Sequence, residues 1–324
     1  MASYSRRSAL RLGGLSALAA SGLAVTSAPT AAADLVSQRS GRRATKYRFL
    51  VGADNNEGHG NNTLTAFQDA DRLMGPLRMR RSFPSLASWG TVVAADKAAG
   101  YKSFVSAQVP GGDYAGVAAG KYDAQITSAV RGLPAGTHVT MNHEPENDVP
   151  GAVFVEMFRR FYRVAKAANP DVRIGPAHLT YGWRNGAVGN AGNNTGTQAP
   201  QEWNVGDAYR DFTAADTYSV TGQALETDPQ FRAWYNFFSS VSAKPLGIAE
   251  YGQYAVPPGQ TRDAALEARR AGLIARDAAW LAAQPQFTAM WLVWNGSGAQ
   301  GNWKLRDRDS IDAWKAVAAL GRLL

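Results

Sequence analysis

The chain has 324 residues, of which 45% are hydrophobic and 19% charged, and this balance excludes a chain that is disordered throughout. It contains no cysteine, which excludes a disulfide framework, a thiol nucleophile and a cysteine-ligated zinc site. The formal net charge of +8 is spread along the sequence rather than gathered on one element, so nucleic acid is not an expected partner.

The first segment, residues 1–33, has the features of a signal peptide for export. The pair Arg6 and Arg7 precedes an apolar stretch, and a run of alanines then supplies a cleavage site. The pair resembles a twin-arginine signal, although the general secretory route stays open. Residues 34–45 are predicted to be a polar linker. No later segment is apolar enough to span a membrane, so we expect a secreted protein without membrane contact after signal removal.

Eight short apolar runs follow the linker, and each precedes a segment with helical periodicity or a short helix. The runs predict strands at residues 47–53, 77–83, 103–109, 138–144, 172–179, 215–220, 245–250 and 287–294. Helices are predicted near residues 64–74, 92–99, 122–132, 152–168, 205–212, 229–241, 262–283 and 311–323. This alternation predicts parallel strands with right-handed crossovers, and eight units are the number in a (β/α)8 TIM barrel. The predicted fold is therefore an α/β TIM barrel over residues 46–324.

A doubly wound open sheet is the alternative fold. That fold usually has a glycine-rich phosphate-binding turn after its first strand. Here the first run continues into residues 54–59, which have no such pattern. The four histidines also lack the spacing of a helix-borne metal pair, so neither a metal nor another cofactor is predicted.

Two glutamates end apolar runs, and active sites of TIM barrels lie at the carboxyl ends of the strands. Glu144 ends the fourth run, and Glu250 ends the seventh. Strand alternation predicts that Glu144 shares one face with Asn142, whereas His143 points to the other face. The fourth and seventh strands lie nearly opposite each other in a barrel. The two carboxylates are therefore expected to face each other across its mouth.

Such a pair is what glycoside hydrolysis requires. One carboxyl group donates a proton to the leaving oxygen, and the other attacks the anomeric carbon. We predict Glu144 as the acid/base and Glu250 as the nucleophile. Glu146 has the same strand parity as Glu144 and remains an alternative acid.

The segments 142–145 and 248–252 (Asn-His-Glu-Pro and Ile-Ala-Glu-Tyr-Gly) resemble clan A of the glycoside hydrolases and are most similar to family 26, which holds β-mannanases. The resemblance implies a retaining mechanism, with Glu144 as proton donor and Glu250 as nucleophile. The family commonly has an Asp-x-Tyr element at the sixth strand, whose tyrosine binds the nucleophile. The nearest alignment puts residues 221–223 there, with Tyr218 earlier in the chain.

Six further residues are candidates for substrate binding: Asn142, His143, Trp294, Trp183, Tyr251 and Arg81. Trp294 is either a platform for a sugar ring or a core residue, and His143 either supports Glu144 or is buried in the core. Arg81 ends the second run and is a candidate partner of Glu250. Trp203, Asp54 and His59 are weaker candidates.

The predicted function is a secreted retaining glycoside hydrolase, an endo-β-glycanase of the β-mannanase type, whose partner is a polysaccharide or oligosaccharide substrate. The alternative is a secreted carbohydrate-binding protein on the same scaffold, without turnover. An esterase would need an activated serine or cysteine, and the sequence has no Gly-x-Ser-x-Gly motif. The sequence gives no oligomeric state.

Overall fold

The computed structural model describes residues 47–55, 63–185, 199–298 and 301–321. The predicted signal peptide (1–33), the predicted linker (34–45) and His59 lie outside these residues.

The centre of the molecule is a sheet of nine parallel strands in the order β5-β4-β3-β2-β1-β9-β8-β7-β6. The strands are β1 (Leu50–Asn55), β2 (Met79–Ser82), β3 (Lys102–Ala107), β4 (His138–Met141), β5 (Arg173–Ile174), β6 (Ala177–Leu179), β7 (Thr213–Ser219), β8 (Leu246–Gln253) and β9 (Phe287–Asn295). All eight predicted strands are present in sequence order. The predicted TIM-barrel fold is confirmed.

The two ends of the sheet belong to one predicted strand, residues 172–179, which is split into β5 and β6. β5 pairs with β4, and β6 pairs with β7. At the break, the Gly175 N–H donates to the Val139 carbonyl at 3.3 Å, and the Pro176 carbonyl accepts from the Ala214 N–H at 2.9 Å. Pro176 has no N–H to offer a neighbouring strand, which favours a break here.

Eight α-helices lie in the described part of the chain and surround the sheet. They are α1 (Leu64–Met74), α2 (Trp89–Ala98), α3 (Tyr114–Ala118), α4 (Asp123–Val130), α5 (Gly151–Ala168), α6 (Pro229–Val241), α7 (Ala264–Ala283) and α8 (Arg308–Leu320). The helix predicted near 205–212 is only a short 3₁₀ turn, Asp207–Tyr209. After β9, a short hairpin pairs β10 (Ser297–Gly298) with β11 (Gly301–Asn302). Among the described residues, a helix with the length and hydrophobicity of a membrane span is not found.

The hydrophobic core has two kinds of region. Most large apolar side chains fill the space between the sheet and the helices, as α5 does with Phe154, Phe158 and Phe161 at helical spacing. A smaller group contains residues from the strands together with Phe212, and includes Phe104, Met290 and Leu292. A TIM barrel is packed with side chains inside, so its chemistry is restricted to the mouth.

His138 begins β4 and packs against the rings of Phe104 and Phe212 at centroid distances of 6.3 and 5.1 Å. Burial, with a smaller contribution from the nearby Arg173, lowers the pKa of His138 from 6.5 to about 4. In the unfolded chain the imidazole would take up a proton near its ordinary pKa. Because the folded pKa is lower, stability present above pH 6.5 is lost as the pH falls towards 4.

We therefore expect His138→Phe to reduce the acid sensitivity of folding. Wild type should lose on the order of 3 kcal/mol more than this variant between pH 7 and pH 4. Urea unfolding at both pH values measures the difference. Equal losses in the two proteins would mean that His138 is not held neutral by the fold.

Candidate active site

Glu144 follows the end of β4 in a turn with unusual backbone geometry. Asn142 and Glu144 both have positive φ, 59° and 50°. The Asn142 N–H donates to the Ala107 carbonyl at 2.8 Å, and the Glu144 N–H donates to the Ala177 carbonyl at 2.9 Å. The turn is thus held between the strands on both sides. Simple strand alternation, used above for Asn142 and Glu144, does not describe it because β4 ends at Met141.

Glu250 reaches the inside of the barrel through a β-bulge in β8. Ala215 of β7 pairs with Ile248, but the next residue, Asp216, pairs with Glu250. Ala249 is therefore an extra residue in this strand pair. Ile248 packs in the core on the helix side, and Ala249 packs in the inner group. The shift places Glu250 on the inner side as well.

The carboxylates of Glu144 and Glu250 meet at the barrel mouth together with that of Asp216. One oxygen from each of the three lies within 4.8 Å of the other two. Glu144 is partly exposed, whereas Glu250 and Asp216 are buried. A spacing near 5 Å between two carboxyl groups is the geometry of retaining glycosidases.

Two residues support Glu250. The hydroxyl of Tyr218 donates a hydrogen bond to one carboxylate oxygen. The guanidinium of Arg81 lies 3.6 Å from the other, as predicted for this pair. Arg81 is fully buried and stacks over Phe104 and Phe83, at 4.1 and 4.7 Å from the ring centroids. These contacts favour an ionised Glu250.

Asp216 was missed by the sequence analysis. Both its oxygens are buried without a hydrogen-bond partner in the described part of the chain. Burial, and next the charge of Glu250, raise the pKa of Asp216 well above its ordinary value. Burial and Glu250 also raise the pKa of Tyr218, which keeps the phenol a hydrogen-bond donor.

The sequence signal for both residues was present at 216–218, which reads Asp-Thr-Tyr. This is the Asp-x-Tyr element expected at the sixth strand. Its alignment with residues 221–223 was wrong, because β7 already ends at Ser219. The tyrosine of the element contacts the predicted nucleophile here as well.

Glu146, the alternative acid, is not one of the three carboxylates that meet at the mouth. It is 1% exposed, and its carboxylate lies 2.7 Å from Nδ1 of His178 and accepts from the Leu179 N–H at 3.1 Å. These contacts tie the turn after β4 to β6. Glu146 therefore links two parts of the backbone. Glu144 instead accepts a hydrogen bond from the Asn147 side-chain amide at 3.2 Å.

Several predicted substrate-binding residues lie near the carboxylates. Asn142 is fully buried, and its side-chain oxygen accepts from the Tyr114 hydroxyl at 3.2 Å. His143 is half-buried, with Nδ1 at 3.0 Å from the Ser106 hydroxyl and its ring 4.9 Å from that of Phe83. Phe83 also packs edge-on against Trp294.

Trp183, Tyr251 and Trp203 lie away from the carboxylates, which corrects their predicted roles. Trp183 is 3% exposed and packs against α6 in the core. Tyr251 points outward to α7, where its hydroxyl donates to Asp277. The indole of Trp203 is buried and donates to the Val149 carbonyl. None of the three side chains lines the mouth in the described part of the chain.

Trp303 is an aromatic residue of the site that the sequence analysis did not select. It follows the β10–β11 hairpin, clusters with Trp294, and packs against Tyr218 at 5.1 Å. Gly252 makes room for this contact, since a Cβ there would lie 2.7 Å from atoms of both Tyr218 and Trp303. The absence of a side chain at Gly252 thus allows Tyr218 to reach the carboxylate of Glu250.

Three carboxylates at this spacing are also a possible set of metal ligands, and they form the only such group found among the described residues. Arg81 already supplies positive charge beside Glu250. This charge disfavours a divalent cation between the three groups.

Comparison with known proteins gives a fold likeness at low identity. No family model and no curated protein matches the sequence. Among solved structures, a modular endo-β-1,4-mannanase of glycoside hydrolase family 26 from Cellulomonas fimi is 14% identical with a TM-score of 0.57, covering 86% of this chain and 72% of that one. The family 53 glycoside hydrolase catalytic domain of Ignisphaera aggregans is 13% identical with a TM-score of 0.55, covering 87% of this chain and 98% of that one. A variant of xylanase A from P fluorescens subsp. cellulosa, in complex with xylopentaose, is 11% identical with a TM-score of 0.55, covering 84% of this chain and 96% of that one. The chain therefore has the barrel fold of these glycoside hydrolases, as predicted from the sequence.

Gly252→Ala should displace Tyr218 from Glu250 and lower activity by roughly 10-fold to 100-fold, because small displacements of catalytic groups are costly. Initial rates on any hydrolysed glycan measure this. Gly90→Ala is the matched control, since Gly90 is exposed in a helix and a Cβ there meets nothing within 4 Å. Unchanged activity in Gly252→Ala would contradict the packing argument.

Glu144→Gly should be more stable than Glu144→Ala by about 1 kcal/mol, although both remove the carboxylate. The reason is the positive φ at this position, which costs energy for any residue with a Cβ. Thermal unfolding of the two variants side by side tests it. An alanine variant of equal or higher stability would show that the turn holds no such strain.

Proposed function

We propose that the protein is a secreted retaining glycoside hydrolase that cleaves O-glycosidic bonds of a polysaccharide, as an endo-β-glycanase of the β-mannanase type. The observation that carries the proposal is the meeting of the Glu144 and Glu250 carboxylates, within 4.8 Å, at the mouth of the barrel. The likeness to glycoside hydrolase structures supports it. No cofactor is needed for this chemistry.

In the first step, a carboxylate oxygen of Glu250 attacks the anomeric carbon. The bond to the leaving oxygen breaks, and Glu144 gives that oxygen its proton. In the second step, Glu144 takes a proton from water, the water oxygen attacks the anomeric carbon, and Glu250 leaves as a carboxylate. Two inversions return the starting configuration.

The neighbours of the pair suit these roles. Arg81 and the Tyr218 hydroxyl stabilise negative charge on Glu250 before attack and on its departure. Glu144 is partly exposed, which suits a group that must exchange a proton with water. Three carboxyl groups so close together do not all ionise readily, which favours retention of a proton within the group.

A polysaccharide substrate is supported by the aromatic side chains beside the carboxylates. Phe83 and His143 are half-buried and their ring centroids lie 4.9 Å apart, whereas the neighbouring Trp294 and Trp303 are buried. Rings of this kind stack on the apolar faces of sugars. The likeness to a mannanase and a xylanase supports a mannan or a xylan as the substrate class. Secretion is proposed from the leader sequence alone.

The alternative is a carbohydrate-binding protein without turnover. It would require one carboxylate to be locked or displaced. Arg81 lies 3.6 Å from the Glu250 oxygen, beyond a close charge-assisted hydrogen bond, and the carboxylates of Glu144 and Glu250 lie within 4.8 Å of each other, so neither is displaced. This arrangement favours the enzyme.

The test is a panel of β-mannan, xylan and mixed-linkage glucan, with detection of new reducing ends. Wild type should hydrolyse at least one of them. Glu144→Ala should lower the rate by about 100-fold or more, because general acid catalysis is lost. Glu250→Ala should lower it by at least about 1,000-fold. Glu146→Gln is the matched control, since it changes a carboxylate two residues away, and should keep most of the activity.

A glycoside with a dinitrophenolate leaving group then separates the two roles. That group departs without a proton, so Glu144→Ala should form the glycosyl-enzyme at close to the wild-type rate, whereas Glu250→Ala should not react. If the dinitrophenyl glycoside restored the rate of Glu146→Gln and not that of Glu144→Ala, Glu146 would be the acid. Binding of oligosaccharides without turnover by wild type would favour the alternative function.

A further inference from the structure

Asp277 is a buried carboxylate on α7 that the mechanism above does not use. It is fully buried. One oxygen accepts from the Leu225 N–H at 2.8 Å, and the other accepts from the Tyr251 hydroxyl at 2.6 Å and the Gln253 amide at 3.1 Å. A charge in such a place is costly unless donors surround it. Its hydrogen bonds go mainly to the strand that carries Glu250.

Tyr251 and Gln253 lie on the outer face of β8, and the same oxygen of Asp277 accepts from both. Glu250 and Gly252 alternate with them and face the inside, where they meet Tyr218. Holding the outer pair in place therefore fixes the direction of the inner pair.

The backbone register of β8 is irregular just before Glu250, although residues 250–253 pair regularly with β7. The register of β8 shifts against β7 at the Ala249 bulge, and it also shifts against β9 between Ile248 and Tyr251. Removing the bulge would move β8 by one residue and turn the Glu250 side chain towards the helices. A bond from Tyr251 to the helix layer opposes that change, because Tyr251 cannot then turn inward.

We propose that Asp277 is a positioning residue that holds the β8 bulge in place, through Tyr251 and Gln253, and so keeps Glu250 aimed at the substrate. The effect on catalysis rests on the proposed function, whereas the positioning of Glu250 by Asp277 does not.

The same network extends to the segment that follows β7. The Gln253 side chain donates to the Gln223 carbonyl at 2.7 Å and accepts from the Gln223 N–H at 3.1 Å. The Leu225 N–H, two residues on, is bound by Asp277 itself. Asp277 thus fixes the segment after β7, the strand that carries Asp216 and Tyr218, against the strand that carries Glu250.

Burial raises the pKa of Asp277 to about 7, while its hydrogen bonds and the charge of Arg276 oppose the rise. The hydrogen bonds around Asp277 fit the ionised form of its carboxyl group. All three neighbours donate, so the ionised carboxylate accepts every one of these hydrogen bonds without rearrangement.

The experiment uses Asp277→Asn, Tyr251→Phe and the double variant in the full-length protein. Each should lower kcat by about 10-fold to 100-fold with little change in KM, because the loss lies in aiming the nucleophile rather than in binding. The double variant should be no worse than the poorer single variant, since both remove one interaction. Crystal structures of the single variants should show Glu250 moved away from Tyr218.

Asp211→Asn is the matched control. Asp211 also accepts from a tyrosine hydroxyl, that of Tyr162, and from a backbone N–H, that of Ile174. It precedes β7 at the end of the barrel opposite the carboxylates. We expect this variant to lose stability while its kcat stays within about 2-fold of wild type.

Crystal structures with Glu250 in its original position in both single variants would overturn the proposal, as would an additive loss in the double variant. If wild type hydrolyses no glycan on the panel, the proposed function fails, and the crystal structures still decide whether Asp277 positions Glu250. A fall in kcat in Asp211→Asn equal to that in Asp277→Asn would also overturn it, since the effect would then be one of stability.

Discussion

The site depends on the electrostatics of three carboxyl groups that lie within 4.8 Å of one another, with one buried guanidinium beside them. Like charges at this distance repel strongly in a poorly hydrated site, so the group favours holding a proton. Arg81 and the Tyr218 hydroxyl stabilise charge on Glu250, while burial raises the pKa of Asp216. Burial thus favours the protonated form of Asp216, whereas the contacts of Glu250 favour its ionised form.

The backbone departs from regular geometry at both places where it presents these groups. Glu144 lies in a turn with positive φ, and Glu250 follows a bulge in β8. Such departures are common beside active sites, and they persist only where the surroundings hold them. The turn donates hydrogen bonds to carbonyl groups of the neighbouring strands, and the hydrogen bond from Tyr251 to Asp277 stabilises the bulge. The barrel thus determines where the site lies, and these local irregularities determine the direction of the Glu144 and Glu250 side chains.

Much of the fold and part of the site could be predicted from the sequence. The alternation of apolar runs with helical segments gives the barrel, because both periodicities are local. Glu144, Glu250 and the Arg81 contact followed from the rule that strand ends meet at one edge. Asp216 and Tyr218 lay within the predicted sixth strand, but the Asp-x-Tyr element was aligned with residues 221–223, beyond the end of that strand. The roles of Trp183 and Tyr251 failed because a one-residue bulge and a packed helix layer, neither visible in residue type, decide which way a side chain points.

The most direct measurement is the anomeric configuration of the first sugar product, followed by proton NMR at early times of hydrolysis. Direct attack by Glu250, with Glu144 as acid and then base, predicts that the configuration of the cleaved bond is retained. A first product of inverted configuration would show that water attacks the sugar directly. In that case Glu250 would not be the nucleophile, and the account of this site would be wrong.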